Sequence, residues 1–308
     1  MKSLSYPRSR CLLALLLIAV ATIPTAAAPK APAAKEPAEF TIALIPDTQN
    51  YSQKFPATYL AQTQWIKDVA TKRNIKFAIH LGDIVQNGTK ETEWKVADRA
   101  HKVLDGNVPY SILPGNHDEH KQPTLFNKYF GPDRFKGKPW YADSISPTDN
   151  SANYCRFSAG GVPLMVLSLP FDPSEKVLAW ANKIVAAHAK DRVIVATHAY
   201  RSSKGRTPIG KRIWEKLIRR NANIFMVVCG HVCAIAHGTS VNDAGGKVHE
   251  ILCDYQAFPN GGDGWLQTMR FSPAEGKIHV EAYSPLLDKH NKAPRHTYTL
   301  EAKLTAPK

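Results

Sequence analysis

The sequence predicts an α/β fold in which helices flank a mixed β-sheet core, and two observations carry that prediction. Strand-like and helix-like segments alternate over the first two thirds of the chain, and strand-like segments then follow one another. Nearly every segment with chemical potential stands directly after an apolar run, where open α/β sheets collect their functional groups. No internal repeat and no second domain boundary interrupts the 308 residues, a length that suffices for one large domain.

The elements follow in order. Phe40 to Pro46 is a continuous apolar strand that stops at Asp47. Pro56 to Arg73 carries Tyr59, Leu60, Trp65, Ile66 and Val69 at helical spacing, with proline at its start. Phe77 to Leu81 is the next buried strand and delivers Gly82-Asp83. Glu91 to Leu104 reads as a helix, and Val108 to Leu113 as a strand delivering Gly115-Asn116-His117-Asp118. Gly131 to Ser151 is rich in Gly, Pro, Asp and Ser and predicts a long loop near the site. Tyr154 to Phe157 and Leu164 to Leu169 predict strands, and Ser174 to Ala189 an amphipathic helix. Arg192 to Ala196 is a strand ending at Thr197-His198. Ile213 to Arg220 is helical, and Ile224 to Val228 is a strand ending at Gly230-His231. The alternation of Lys247 to Cys253, Trp265 to Phe271 and Lys277 to Tyr283 predicts antiparallel strands.

The N-terminus differs from the rest. Lys2, Arg8 and Arg10 precede the apolar stretch Leu12 to Ile23, closed by Pro24 and the small residues Thr25 to Ala28. That order predicts a secretory signal peptide over residues 1–28 and a secreted or periplasmic product. A membrane anchor needs about 20 apolar residues, more than this stretch offers, so no stable membrane insertion is expected after cleavage. Cys11 lies before the apolar core, where a lipoprotein cysteine would not sit. Residues 29–38 are Ala, Pro, Lys and one Glu, a flexible tether, and the folded domain is expected over 39–308.

Losing Lys2, Arg8 and Arg10 with the leader would lower the net charge of +14 by three, to +11. Such a field attracts anions, but the basic residues are scattered, so no nucleic-acid partner is expected. Four cysteines remain, Cys155, Cys229, Cys233 and Cys253, which allow three disulfide pairings.

Asp47-Thr48-Gln49, Gly82-Asp83, Gly115-Asn116-His117-Asp118, Thr197-His198 and Gly230-His231-Val232-Cys233 form an ordered set. Singly each has a plain alternative, a turn for Gly-Asp or a core histidine for His198 or His231. Together they resemble the calcineurin-like metallophosphoesterases. Pro46-Asp47-Thr48-Gln49, Asp254-Tyr255-Gln256 and Gly261 to Trp265 further resemble an exported subgroup of that family. The resemblance implies a four-layer sandwich of two mixed β-sheets flanked by helices. It also implies two divalent metal ions, of Mn, Fe or Zn, acting on a small-molecule phosphoester by attack of a bridging water. Carried over by motif, Asp83 would bridge the ions, and Asn116, His198 and His231 would complete one site. Asp47, Gln49 and Cys233 are the candidates for the other. His117 would assist the leaving oxygen, with Asp118 orienting its imidazole.

Gln49 and Cys233 stand where the family pattern usually has histidine. Gln49 could ligate directly, through water, or contact substrate only. Cys233 could ligate as thiolate, favouring Zn or Fe, or be tied to Cys229 or Cys253, with His237 as a fallback ligand. Those departures motivate an alternative, a degenerate relative that binds a phosphorylated ligand without turnover. Gly205-x4-Gly210-Lys211 imitates a phosphate-binding loop, but Arg212 replaces the required Ser or Thr. Arg201, Lys204 and Arg206 are either a solvated loop or a clamp for substrate phosphate.

Overall fold

The computed structural model describes Met1 and residues 39–118, 124–302 and 304. The leader beyond Met1 and the tether lie outside the described residues. Among those described, no helix is long and apolar enough to cross a membrane.

In chain order the strands are β1 (Phe40–Ile45), β2 (Ile75–His80), β3 (Tyr110–Ser111), β4 (Tyr141–Ser146), β5 (Asp149–Ala159), β6 (Val162–Leu169), β7 (Arg192–Thr197) and the small hairpin β8 (Arg201–Ser202) and β9 (Gly205–Arg206). There follow β10 (Ile224–Cys229), β11 (Ile235–Val241), β12 (Lys247–Cys253), β13 (Leu266–Ser272), β14 (Lys277–Ser284), β15 (Lys289–Asn291) and β16 (Tyr298–Glu301). The helices are α1 (Gln49–Gln53), α2 (Pro56–Val69), α3 (Glu91–Lys102), α4 (Thr124–Phe130), α5 (Pro132–Phe135), α6 (Glu175–Ala187), α7 (Pro208–Ile213), continued by a π-helical turn over Trp214–Ile218, and the single turn α8 (Pro259–Gly262).

One sheet runs β15-β14-β13-β1-β2-β3, with β16 also paired to β14, and the other runs β11-β12-β10-β7-β6-β5-β4. Both are mixed. β1 is parallel to β2 and antiparallel to β13, while β7, β10 and β12 are parallel neighbours and β11 is antiparallel. Strand alternation then builds the layers. In β1, Phe40, Ile42 and Leu44 face a core shared with Val166, Ile194, Ala196 and Val228 of the second sheet. Ala43 and Ile45 point the other way, into a cluster with Tyr59 and Ile66 of α2 and Trp94 of α3. Val193 and Val195 of β7 likewise meet Leu178 and Val185 of α6. The result is the four-layer sandwich that the motifs imply, helices outside two mixed sheets.

Some local expectations are corrected. Gly131 to Ser151 is not a long loop: it holds α5, β4 and the start of β5. Its polar residues are used structurally, since buried Asn150 donates to the Phe130 carbonyl at 2.8 Å and Asn153 to the Ile112 carbonyl at 3.0 Å. The Val108 to Leu113 strand shortens to two paired residues. The predicted helix over Ile213 to Arg220 begins earlier, at Pro208, where Thr207 caps it by accepting from the Gly210 N–H. Lys247 to Cys253 is not purely antiparallel, because β12 is also parallel to β10.

Candidate metal centre

β1 and β2 lie side by side and parallel, so the segments that follow them, with Asp47 and Asp83, leave the sheet at the same edge. β7 and β10 do the same in the second sheet and deliver His198 and His231. Asp83, His198 and His231 each offer a ligand atom, all within 4.8 Å of one another. Asn116 joins them, its Oδ1 3.2 Å from His198 Nε2. Asp83 and His231 both adopt positive φ, +47° and +71°, a conformation uncommon for residues with a side chain. The glycines beside them leave room for ligands: a Cβ on Gly115 would fall 2.1 Å from Asp83 Oδ1, and one on Gly230 2.0 Å from Asp47 Oδ1.

The hydrogen bonds set the chemistry of each donor. His198 Nδ1 lies 2.9 Å from the Leu81 carbonyl, which can only accept, so Nδ1 carries the proton there. Nε2 is thereby turned towards Asp83 Oδ2, 3.2 Å away. Burial opposes charge on His198, but Asp83 and Asp47 outweigh it and raise the imidazole to about 10. Burial likewise opposes ionisation of Asp83, and the charge of His198 overcomes it and lowers the carboxyl. Asp83 also accepts from the His117 backbone N–H at 2.9 Å and from Gln49 Nε2 at 3.3 Å. Its carboxylate therefore touches both halves of the expected site.

The second half is less evenly filled. Asp47 is buried, with Oδ2 accepting from the His231 N–H at 3.0 Å and Oδ1 left without a partner. Burial, then the charge of Asp254, pushes its carboxyl well up. Gln49 is buried too; its Nε2 donates to Gln256 Oε1, while its own Oε1 has no partner. Cys233 is exposed and stands outside the cluster of Asp83, His198 and His231. Burial, then the charges of Asp254 and Asp47, raises its thiol. No disulfide forms among the described residues, so Cys155, Cys229, Cys233 and Cys253 are free thiols. His237 does not fold back as a fallback ligand: it sits on β11 with its ring stacked on Tyr298, centroids 3.8 Å apart.

His117 Nδ1 faces the Gln86 carbonyl at 2.9 Å, and its Nε2 lies 4.0 Å from Asp83 Oδ2. The expected role of Asp118 is corrected. Its buried carboxylate accepts from the backbone N–H groups of Ile84, Val85 and Gly115 at 3.0, 2.9 and 2.7 Å. It staples the loop after β2 to the loop after β3, and Gln86 takes the part of orienting the imidazole. Burial, then the charge of Asp83, pushes the Asp118 carboxyl up to about 8.

The basic loop is neither a clamp nor a solvated segment. Arg201 donates to the Glu250 carbonyl at 2.9 Å, and Arg206 pairs with the Glu250 carboxylate and lies over the Trp214 ring. Only Lys204 of the three is exposed. The motif reading missed Gln86, and also Phe171, whose ring is 5.0 Å from His231 and 5.9 Å from His198. Neither follows a motif, and each is found only through its contacts. Asp254, by contrast, stands directly after the apolar run of β12, as the candidate ligands stand after theirs.

The donor set fits a divalent cation. Buried carboxylates, an amide and imidazoles converge, and two of their oxygens have no protein partner. Buried polar atoms are ordinarily satisfied, and such hard and borderline donors suit Mn, Fe or Zn.

The family model for calcineurin-like phosphoesterases matches residues 40–234, from β1 to the segment just beyond His231. The chain belongs to the calcineurin-like phosphoesterase family. YvnB, an uncharacterised protein of Bacillus subtilis (strain 168), is 36% identical over 270 residues, 84% of this chain and 21% of its own length. The chain thus spans about a fifth of that relative. Among solved structures, purple acid phosphatase PPD1 from yellow lupin seeds superposes with a TM-score of 0.57 at 10% identity, covering 86% of this chain and 54% of the lupin protein. GAP50, the anchor in the inner membrane complex of Plasmodium, gives 0.54 at 13% identity, covering 88% and 90%. At such identities these two likenesses concern the fold alone.

Proposed function

We propose that this phosphoesterase hydrolyses phosphomonoesters or phosphodiesters of small molecules and works with two divalent ions. The observation that carries the reading is Asp83, one carboxylate whose Oδ2 is in contact with both His198 and Gln49. Asp83, Asn116, His198 and His231 would hold one ion, and Asp47 and Gln49 would contribute to the second. Ions held there supply Lewis-acid polarisation of the phosphoryl oxygens and acidify a water enough to attack at neutral pH.

The chain's own groups do the rest. The Leu81 carbonyl holds a proton of His198 on Nδ1, so Nε2 is the nitrogen that an ion would take in place of a proton. His117, oriented by the Gln86 carbonyl, can carry a proton on Nε2 towards the departing oxygen. Phe171 forms an apolar wall beside His231. We also propose that the leader over residues 1–28 sends the enzyme outside the cytoplasm, where a small phosphoester rather than nucleic acid is its substrate.

The test is hydrolysis of p-nitrophenyl phosphate and bis-p-nitrophenyl phosphate by the manganese-loaded protein and by Asp83→Asn. Wild-type turnover that chelation abolishes, and that the folded variant lacks, is the expected result. Unchanged turnover in the variant would overturn the assignment of Asp83. No turnover in the loaded wild type, with phosphate still bound, would favour the degenerate relative.

A further inference from the structure

β12 brings a sixth strand end to this site. It runs parallel to β10, with Cys229 opposite Leu252, so Asp254 leaves the sheet at the edge that carries His231. Asp254 is 1% exposed, and its backbone N–H donates to the Ala234 carbonyl at 3.2 Å. Its carboxylate accepts from the Gln256 backbone N–H at 2.9 Å and from Gln256 Nε2 at 3.0 Å. Gln256 Oε1 in turn accepts from Gln49 Nε2, which also reaches Asp83. Hydrogen bonds therefore run without a break from Asp254 through Gln256 and Gln49 to Asp83.

Two features ask for more than this chain of hydrogen bonds supplies. Asp47 Oδ1 and Gln49 Oε1 are buried without partners beside it. Among the described residues, no lysine or arginine is ion-paired with Asp47, Asp83 or Asp254. His198 lends these carboxylates its charge, but three buried carboxylates on so little counter-charge still cost several kcal/mol, by rough reckoning. Asparagine would serve the Gln256 N–H without that cost, but would lose the second acceptor that Asp254 offers to Gln256 Nε2. Cys233, which the motif alignment puts forward for the second ion, is the exposed member of the group.

We propose that Asp254 is a ligand of the second divalent ion, completing with Asp47 and Gln49 the position for which the motif puts forward Cys233, with Gln256 as the residue that positions it. The inference rests on the two-ion reading above. It makes the second site an all-oxygen site, suited to a hard ion such as manganese rather than to zinc held by thiolate.

The experiment counts ions. Wild type, Asp254→Asn, Cys233→Ser and Asp83→Asn are equilibrated with manganese, freed of loose ions and assayed for metal per chain, with affinities from calorimetric titration. Wild type and Cys233→Ser should hold two ions. Asp254→Asn should hold one, with the second weakened at least about tenfold. In chelator, Asp254→Asn should melt no lower than wild type, since a buried like charge has gone; manganese should then raise its melting point less. If that variant does not melt cooperatively, Asp254→Ser takes its place with the same expectations. Two ions at unchanged affinity in the Asp254 variant would overturn the proposal while leaving the two-ion reading intact, and so would loss of the second ion in Cys233→Ser instead. A single ion, held alike by wild type and the Asp254 variant, would overturn both.

Discussion

His117 shows how much of this site depends on the orientation of one ring. With Nδ1 against the Gln86 carbonyl at 2.9 Å, the ring is turned so that Nε2 looks towards Asp83, and the side chain keeps 30% of its exposure. A ring so placed can reach an ester oxygen that has not entered the buried part of the site. His117→Ala should therefore slow alkyl phosphates, whose leaving oxygen must be protonated, far more than p-nitrophenyl phosphate, whose oxygen departs as the anion. Equal losses on both substrates would assign the ring to substrate binding and not to proton transfer. At this scale the candidate ligands were legible because Asp83, His198 and His231 each stand just beyond a buried strand. Asp118 was not, since its role depends on the N–H groups of Ile84, Val85 and Gly115, which only the fold brings together. Asp254 obeys the same strand-end rule as its neighbours, but the subgroup resemblance that includes it attaches no ligand role to it.

Below the site, a buried polar relay ties four elements together. His80, at the end of β2, has Nε2 2.9 Å from Thr48 Oγ1 and 3.1 Å from the Tyr59 hydroxyl of α2, and that hydroxyl lies 3.0 Å from His101 Nε2 of α3. His80 Nδ1 accepts from the Gly82 N–H at 3.2 Å, which fixes the turn leading to Asp83. Burial, then the charge of His198, lowers His80 to about 3, and burial, then His80, lowers His101 well below its usual value. Both rings are thus neutral in the folded chain, while the unfolded chain takes up their protons below about pH 6.5. Their contribution is complete above that pH and is lost as the pH falls towards 3. His101→Phe removes one such group. The stability gap between wild type and this variant, measured by urea unfolding in chelator, should shift by about 2 kcal/mol in the variant's favour between pH 7 and pH 5. A constant gap would show that His101 takes up its proton in the fold as readily as in the unfolded chain. Element boundaries were legible where apolar alternation was strong, as in β7 and β10. They were lost in β4 and β5, where Asn150 and Asn153 serve buried backbone groups and the polar composition resembles that of a loop.

For the molecule as a whole, the division of labour between the sheets decides what the ions can stabilise. Asp47, Asp83 and Asn116 come from the strands of the first sheet, and His198, His231 and Asp254 from those of the second. The sheets themselves are joined by an apolar core in which Ile42, Leu44, Ile79, Ile194, Met226 and Val228 are fully buried. That core needs no ion. What lacks support without one is the rim, where burial and the charge of Asp254 push up Asp47, burial and the charge of Asp83 push up Asp254, and oxygens stand without partners. Opening there should be local, since units with few apolar contacts open at free energies below that of the whole domain. Removing ions with chelator should therefore speed amide exchange at Gly82-Asp83, Gly115 to Asp118, Gly230-His231 and Asp254. Amides in the middle of β1, β2, β7 and β10 should keep their protection. Acceleration spread evenly over both sheets would mean that the ions clamp the two layers together. Exchange confined to the rim would mean that the fold builds the site first, and that the ions then hold the strand ends in place.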